Sequence, residues 1–167
     1  MRTILCALGL ACASPLSASP DEAVRDFLTG LLNGPKIAAA QNARFEGPCT
    51  LTWQEKFVFA PPRHAYTGEV LQDSRVDFSK FGRGRVIANT FVNSISGEEG
   101  FFQDRCQTVI SDGSDICADF FGAEPGVWEQ WTDYDMIVDP EVAPARYSSR
   151  KIVAAFAYLG TLCREKD

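Results

Sequence analysis

The sequence is short of basic residues, histidine and long apolar runs. It has 16 Lys and Arg against 22 Asp and Glu, a net charge of −6, and one histidine. Sequence-independent nucleic-acid binding needs a surplus of cationic side chains, so nucleic acid is excluded as a partner. No stretch reaches the roughly 20 consecutive apolar residues of a membrane-spanning helix, so no membrane span is predicted.

The motifs of common catalytic and cofactor sites are also absent. There is no C-x-x-C for a zinc knuckle or redox pair, and no G-x-S-x-G for a serine hydrolase. Gly82–Arg85 begins like a dinucleotide-binding loop, but Ile87 stands where the third glycine is required. The acidic residues do not have the spacing of a calcium-binding EF-hand loop. We therefore predict no catalytic residue, cofactor or metal.

The first residues are typical of a secretory signal peptide. Arg2 precedes an uncharged run over 4–13, which is too short to span a bilayer but suits a signal core. Small residues allow cleavage after Ala13, and cleavage after Ala18 is the alternative. We therefore expect residues 1–18 to be the signal peptide and 19–167 to form one globular domain, as the length and the 46% hydrophobic content suggest.

Export changes how the remaining composition is interpreted. Residues 19–167 keep 15 basic residues, 22 acidic residues and four cysteines, an even number that predicts two disulfides in an oxidising compartment. The protein is then secreted, or periplasmic if its source is a Gram-negative bacterium. Cys12 lies in an incomplete lipobox, because Gly9 replaces an aliphatic residue, and this argues against a lipid anchor.

A helix is predicted over 20–33. Ser19 is its N-cap, Pro20 its first residue, and Glu22 closes a capping box. One apolar face follows with helical spacing: Val24, Phe27, Leu28 and Leu31. Asn33–Pro35 ends the helix.

Beyond this helix, a short helical piece is expected over 37–41, and then the pattern alternates. Between Cys49 and Phe121 the apolar period is two, which is typical of antiparallel strands. Strands are predicted over 50–59, 65–78, 86–95, 101–110 and 116–121, with turns at 82–84, 97–100 and Asp112-Gly113. Together they form a meander.

The C-terminal segment is compatible with two structures. Ile152, Phe156, Leu159 and Cys163 share one helical face. A strand buried on both faces would also accept this segment. We favour the helix, because the alanines between these residues have high helix propensity.

These elements predict an α+β domain in which a curved antiparallel meander receives the N-terminal helix on its concave face. A helix followed by a four- or five-stranded meander resembles the cystatin and NTF2-like element order. The resemblance concerns element order only, and no residue motif carries it. It implies no activity, because those groups include inhibitors, binding proteins and enzymes.

Four cysteines allow three pairings, and one is preferred. Cys106 and Cys117 lie on the two arms of the predicted hairpin, which leaves Cys49 with Cys163. A two-residue Asp112-Gly113 turn would place Cys117 opposite Thr108, so this pairing requires a bulge or a longer turn.

The best candidate for a binding site is the acidic segment 124–141, which contains no lysine or arginine. Aromatic rings provide contact area, and acidic groups steer a basic partner. The binding residues predicted here are Trp128, Trp131, Asp133, Tyr134 and Asp135. Alternatively, the tryptophans cover one end of the core while the acids face water.

Two functions follow from these observations. The preferred one is an exported binding or interaction module, for example an inhibitor or immunity-like partner of another exported protein. The alternative is a small hydrolase or isomerase with a carboxylate-lined cavity between sheet and helix, in which Glu55 or Asp73 does acid/base work. Glu55 motivates this alternative, because a carboxylate on an otherwise apolar strand face has a raised pKa if it is buried. His64, the one histidine, is interpreted as an incidental loop residue.

Overall fold

The computed structural model describes residues 19–34, 40–60, 67–86, 92–111, 116–137 and 149–165. They form an α+β fold. Along the chain, an N-terminal helix is followed by the strands of two antiparallel sheets and then by a C-terminal helix. The predictions on the signal peptide, Cys12, His64 and the Asp112-Gly113 turn concern positions outside these described residues. Neither described helix combines the length and the apolar character of a membrane crossing.

The described elements are as follows. The helices are α1 (Pro20–Leu32) and α2 (Ser149–Arg164). The strands are β1 (Ala40–Phe45), β2 (Thr50–Phe59), β3 (Gly68–Asp77), β4 (Phe81–Val86), β5 (Val92–Gly97), β6 (Phe102–Ser111), β7 (Glu129–Trp131) and β8 (Asp133–Ile137). A 3₁₀ turn, Phe78–Lys80, joins β3 to β4, and a π-helical turn, Cys117–Phe121, lies between β6 and β7.

Both helix predictions are confirmed. At the start of α1, the Glu22 backbone N–H donates to Ser19 Oγ at 3.2 Å and the Ser19 N–H donates to Glu22 Oε2 at 2.9 Å, which is the expected capping box. At its end, the Asn33 side-chain amide bonds both backbone groups of Ala43 in β1. The cap therefore also fixes α1 against the edge of the sheet.

The strands form two sheets rather than one meander. The larger sheet has the order β1-β2-β3-β6-β7 and the smaller one the order β4-β5-β8. The β4–β5 pair is inserted between β3 and β6, and β7 continues into β8 after the single residue Thr132. The predicted meander is wrong because two strands of the larger sheet lead directly into the smaller one.

The predicted turn at 82–84 is also wrong, since these residues belong to β4. The two glycines allow the strand to pack closely against its neighbours, and they do not form a chain reversal. A Cβ on Gly84 would lie 3.0 Å from a methyl group of Val153 in α2, so a side chain here would crowd the helix. Of the strand predicted over 86–95, Val86 ends β4 and residues 92–95 lie in β5, whereas residues 87–91 lie outside the described part of the chain.

Two further local predictions fail. Residues 40 and 41, expected in a helical piece, begin β1, whose alternation is interrupted by a bulge in which Asn42 has a φ of 57°. The predicted strand over 116–121 is a π-helical turn. In both places a local irregularity removes the simple period on which a sequence-based prediction rests.

Both predicted disulfides are present. Cys49 and Cys163 have Cα atoms 5.7 Å apart, and their bond fastens the last turn of α2 to the start of β2. Cys106 and Cys117 have Cα atoms 5.8 Å apart. The second pairing is as predicted, but Cys117 lies on the π-helical turn and not on a hairpin arm, so no matching strand register is needed.

Two apolar clusters cover one face of the larger sheet, which we call the inner face. The first cluster packs this face against both helices and the smaller sheet, with Trp53, Phe78 and Phe156 fully buried at its centre. The second surrounds the Cys106–Cys117 bond and contains Phe59 and Val70. The opposite side of the larger sheet is the outer face.

Candidate functional site

A group of polar side chains lies on the inner face between the two apolar clusters. We name Glu55, Gln72, Ser74 and Asp104 the carboxylate belt. The strand register places them together, because Glu55 pairs with Gln72 across β2 and β3, and Ser74 pairs with Asp104 across β3 and β6. Directly opposite residues of paired strands share a face. Polar groups therefore occupy the centre of an otherwise apolar surface.

The two carboxylates of the belt are held by neutral donors. Trp53 Nε1 donates to Glu55 Oε1 at 2.9 Å, and Trp131 Nε1 donates to Asp104 Oδ1 at 2.9 Å. The Gln72 amide also donates to Asp104. No lysine or arginine within the described ranges forms an ion pair with either carboxylate. Both carboxyl groups are thus oriented by neutral donors, and neither has an ion-pairing cation in the described ranges.

Ser74 has an unused hydrogen-bonding group in the belt. Its side chain is 1% exposed, and its hydroxyl has no hydrogen-bond partner in the described part of the chain. Buried hydroxyls are nearly always paired, because an unpaired one loses its hydrogen bonds to water without compensation.

Aromatic rings form a wall beside the belt. Tyr134 reaches over from β8, stacks on Phe102 at a centroid distance of 4.5 Å and lies tilted against Trp53 at 5.5 Å. Trp131 lies at the edge of the same face and is 47% exposed. Glu55, Gln72 and Asp104 are themselves half-buried, so the belt is not sealed from solvent.

Burial affects the protonation of Glu55 in the belt and of Tyr134 beside it. It raises the pKa of Glu55, an effect that the hydrogen bond from Trp53 opposes and the negative charge of Asp104 increases. Burial also raises the pKa of Tyr134 well above its usual range, and the charge of Glu55 adds to this. Tyr134 therefore keeps its proton at neutral pH, and Glu55 releases its proton at a higher pH than an exposed glutamate.

Glu55→Gln is expected to change how stability depends on pH. The folded protein binds Glu55's proton more tightly than the unfolded chain, so the free energy of unfolding falls as pH rises from the ordinary glutamate pKa of 4.5 through the raised one. Glutamine is neutral throughout and still accepts from Trp53, so the variant lacks this fall and is more stable than wild type above that window. Urea unfolding of both proteins at several pH values measures how the free energy of unfolding depends on pH.

The matched control is Glu98→Gln, the same change in an exposed loop. It is expected to retain the wild-type profile. If Glu55→Gln also retains it, burial of the Glu55 carboxylate does not govern this part of the pH dependence.

A second polar site lies on the outer face. A cleft of about 290 Å³ is lined by Arg44, Glu46, Thr52, Trp53, Gln54, Asp73, Ser74, Arg75, Arg105 and Trp128. The guanidinium carbons of Arg75 and Arg105 lie 4.3 and 4.8 Å from the ring centroid of Trp128. We call this the Trp128 cleft.

Asp73 holds a central position in this cleft. Its carboxylate accepts from Arg105 at 2.5 Å, from Gln54 at 2.8 Å and from Gln107 at 2.9 Å. Asp73 therefore faces away from Glu55, on the other side of the sheet. The two carboxylates that the sequence suggested for acid/base work do not share a site.

The predicted binding residues are divided between surfaces. Trp128 belongs to the outer face, whereas Trp131 and Tyr134 flank the belt on the inner side. Asp133 and Asp135 are exposed and alternate with Tyr134 along β8, so they point away from it. The structure brings Trp131 and Tyr134 together with Glu55, and it separates them from Trp128.

Sequence reasoning missed Gln72, Ser74 and Asp104. For Gln72 and Ser74, the polar middle of the strand predicted over 65–78 was the available signal. It could not be assigned to the inner face without the register between β2, β3 and β6.

No group of three or more His, Cys, Asp or Glu side chains is placed to hold a metal ion in the described ranges.

Compared with known proteins, the chain matches no family model, no curated protein and no solved structure.

Proposed function

We propose that this protein is an exported binding module that takes a cationic group of a basic partner at the carboxylate belt. The observation that carries the proposal is the pair Glu55 and Asp104, two partly buried carboxylates without a cationic partner among the described residues. Carboxylates in such surroundings are usually paired with a cation. A bound ammonium or guanidinium group would supply the missing charge.

The surroundings of the two carboxylates favour an organic cation. Rings of Trp53, Tyr134 and Trp131 lie beside them, and aromatic faces attract ammonium and guanidinium groups. A lysine or arginine side chain of a partner carries both the charge and the donors that these groups can use.

Charge and covalent structure support the wider proposal. The net charge of −6 attracts a basic partner over long range and speeds encounter. The two disulfides favour an oxidising compartment, as expected for the predicted signal peptide and a secreted or periplasmic location. The cystatin or NTF2-like element order remains a prediction that adds no functional residue.

Calorimetric titration with two short peptides tests the proposal, one alternating lysine with serine and one with glutamate in place of lysine. We expect the lysine peptide to bind and the glutamate peptide not to bind. The double variant Glu55→Gln, Asp104→Asn is expected to weaken binding at least about tenfold, because desolvated charge pairs carry more binding energy than exposed ones. Trp131→Ala is expected to weaken it, and Trp128→Ala is not.

Glu98→Gln with Glu99→Gln is the matched control, since it removes the same charge from an exposed loop. Equal weakening by both double variants would mean that net charge alone attracts the peptide, and the proposed site would be wrong. A larger effect of Trp128→Ala than of Trp131→Ala would move the binding surface to the outer face.

The raised pKa of Glu55 favours a second candidate function, a small hydrolase or isomerase. A carboxyl group that holds its proton to higher pH can act as a general acid. Turnover of model esters and glycosides by wild type and Glu55→Gln tests this alternative. If wild type shows no turnover, or if both proteins are equally active, Glu55 is not an acid/base catalyst for these substrates.

A further inference from the structure

We propose that the Trp128 cleft on the outer face is a second binding site, specific for a monoanionic carboxylate. It lies on the opposite side of the larger sheet from the carboxylate belt, and its charge has the opposite sign. The proposal does not depend on the function proposed for the belt.

The first argument is the unused hydrogen-bonding capacity of Arg75. Its Nε and Nη2 groups both donate to the side-chain oxygen of Gln103, a neutral acceptor. A guanidinium group has five N–H donors, so three remain. No carboxylate within the described ranges forms an ion pair with Arg75. Its free edge is the kind of group that binds a carboxylate through two parallel hydrogen bonds.

The second argument is the charge balance of the cleft. Arg44 is paired with Glu46 at 2.6 Å, and Arg105 is paired with Asp73 at 2.5 Å. Arg75 is the lining arginine left without a carboxylate among the described residues. The cleft therefore carries one uncompensated positive charge in an acidic chain, and a monoanion matches that charge.

The third argument is that Trp128 holds the arginine side chains in place. Its ring lies against both guanidinium groups, which restricts their orientation. Binding then costs less side-chain entropy than it would for free surface arginines.

The geometry around Asp73 shows how the cleft accommodates a carboxylate. One arginine and two glutamine amides donate to this group. Arg75 lines the same cleft two residues along β3 from Asp73, on the same face of the sheet, and it offers the same kind of guanidinium donor as Arg105. The volume of about 290 Å³ is at the lower end of small-molecule sites. A side-chain or small-acid carboxylate fits these dimensions.

Titration with acetate, followed by NMR of the Trp128 indole N–H and the Arg75 Nε–H, tests the proposal. Sodium chloride keeps the ionic strength constant, because screening alone shifts exposed charges. We expect acetate to move both signals in a saturable way and methylammonium to move neither. Arg75→Gln is expected to weaken acetate binding at least about tenfold, and Arg75→Lys to weaken it less.

Arg83→Gln is the matched control, since it removes one exposed arginine from β4 outside the cleft. It is expected to leave acetate binding unchanged. Inorganic phosphate distinguishes a tetrahedral dianion from a planar monoanion, and tighter binding of phosphate than of acetate would overturn the assigned ligand class. The site itself is refuted if acetate moves neither signal, or if Arg75→Gln binds acetate as tightly as wild type.

Discussion

Replacing Cys49 and Cys163 by alanine is expected to lower the free energy of unfolding by about 5 kcal/mol. The bond closes a loop with a sequence separation of 114, and in the chain-entropy model so long a loop restricts the unfolded chain strongly. Domains are stable by only about 5–15 kcal/mol, so a loss of this size is at least about a third of the stability. Its removal also frees the last turn of α2 from the start of β2. Urea unfolding of the oxidised proteins measures the difference.

Replacing Cys106 and Cys117 by alanine is the internal control. That loop has a separation of only 11, so the same model predicts a smaller loss, about 3 kcal/mol. Both variants replace two cysteines by alanine and are unfolded in the same way. Equal losses, or a larger loss at the shorter loop, would show that local packing of the cysteines and not loop closure determines their contribution.

Gly97→Ala is expected to destabilise the protein by about 3 kcal/mol or more. Gly97 ends β5 where the chain turns back toward β6. A Cβ atom there would collide with the backbone oxygen of Lys80 and lie 2.6 Å from Cγ of Phe101, which is fully buried. Neither neighbour can withdraw easily, because one is backbone and the other is enclosed by the core. Thermal or urea unfolding reports the change.

Gly82→Ala is the matched comparison on the neighbouring strand. A Cβ there would lie 3.2 Å from the Ser96 backbone oxygen, a contact that small shifts relieve. Alanine also loses less conformational entropy than glycine on folding, so the expected change is within about 1 kcal/mol. If the two variants unfold at the same urea concentration, close approach is not the reason for glycine at position 97.

The parts of the fold that were predictable are those that local residues decide. The N-cap Ser19 and the stop at Asn33 determine the ends of α1 within a few neighbouring positions. The alternation from Leu51 to Phe59 likewise predicted β2 with its observed limits, 50–59. These signals need no knowledge of distant residues, because capping bonds and side-chain alternation arise within one element.

The errors occur where tertiary contacts override the local pattern. Glycines at 82 and 84 are typical of a turn, but in the structure they let β4 pack closely against β5 and α2. Cys117 lies in a segment with apolar alternation, yet the chain there forms a π-helical turn whose cysteine is bonded to β6. In each case a neighbour distant in sequence decides the conformation.

The candidate site was only partly predictable for the same reason. Glu55 could be identified from β2 alone, since it interrupts an apolar face. Asp104 could not, because its place beside Ser74 depends on the register between β3 and β6. Tyr134 joins them from the other sheet, while Trp128, close to it in sequence, lies on the outer face.

The sequence by itself determined the ends of α1, the position of β2, the acidic charge and the even set of cysteines available for two disulfides. Only the tertiary structure decided that the strands divide into two sheets, and that Glu55 and Asp104 lie on one face while Arg75 and Arg105 lie on the other. The physical reason is that charge and local periodicity are properties of neighbouring residues. The composition of each face depends on strand pairing, which brings distant residues into register.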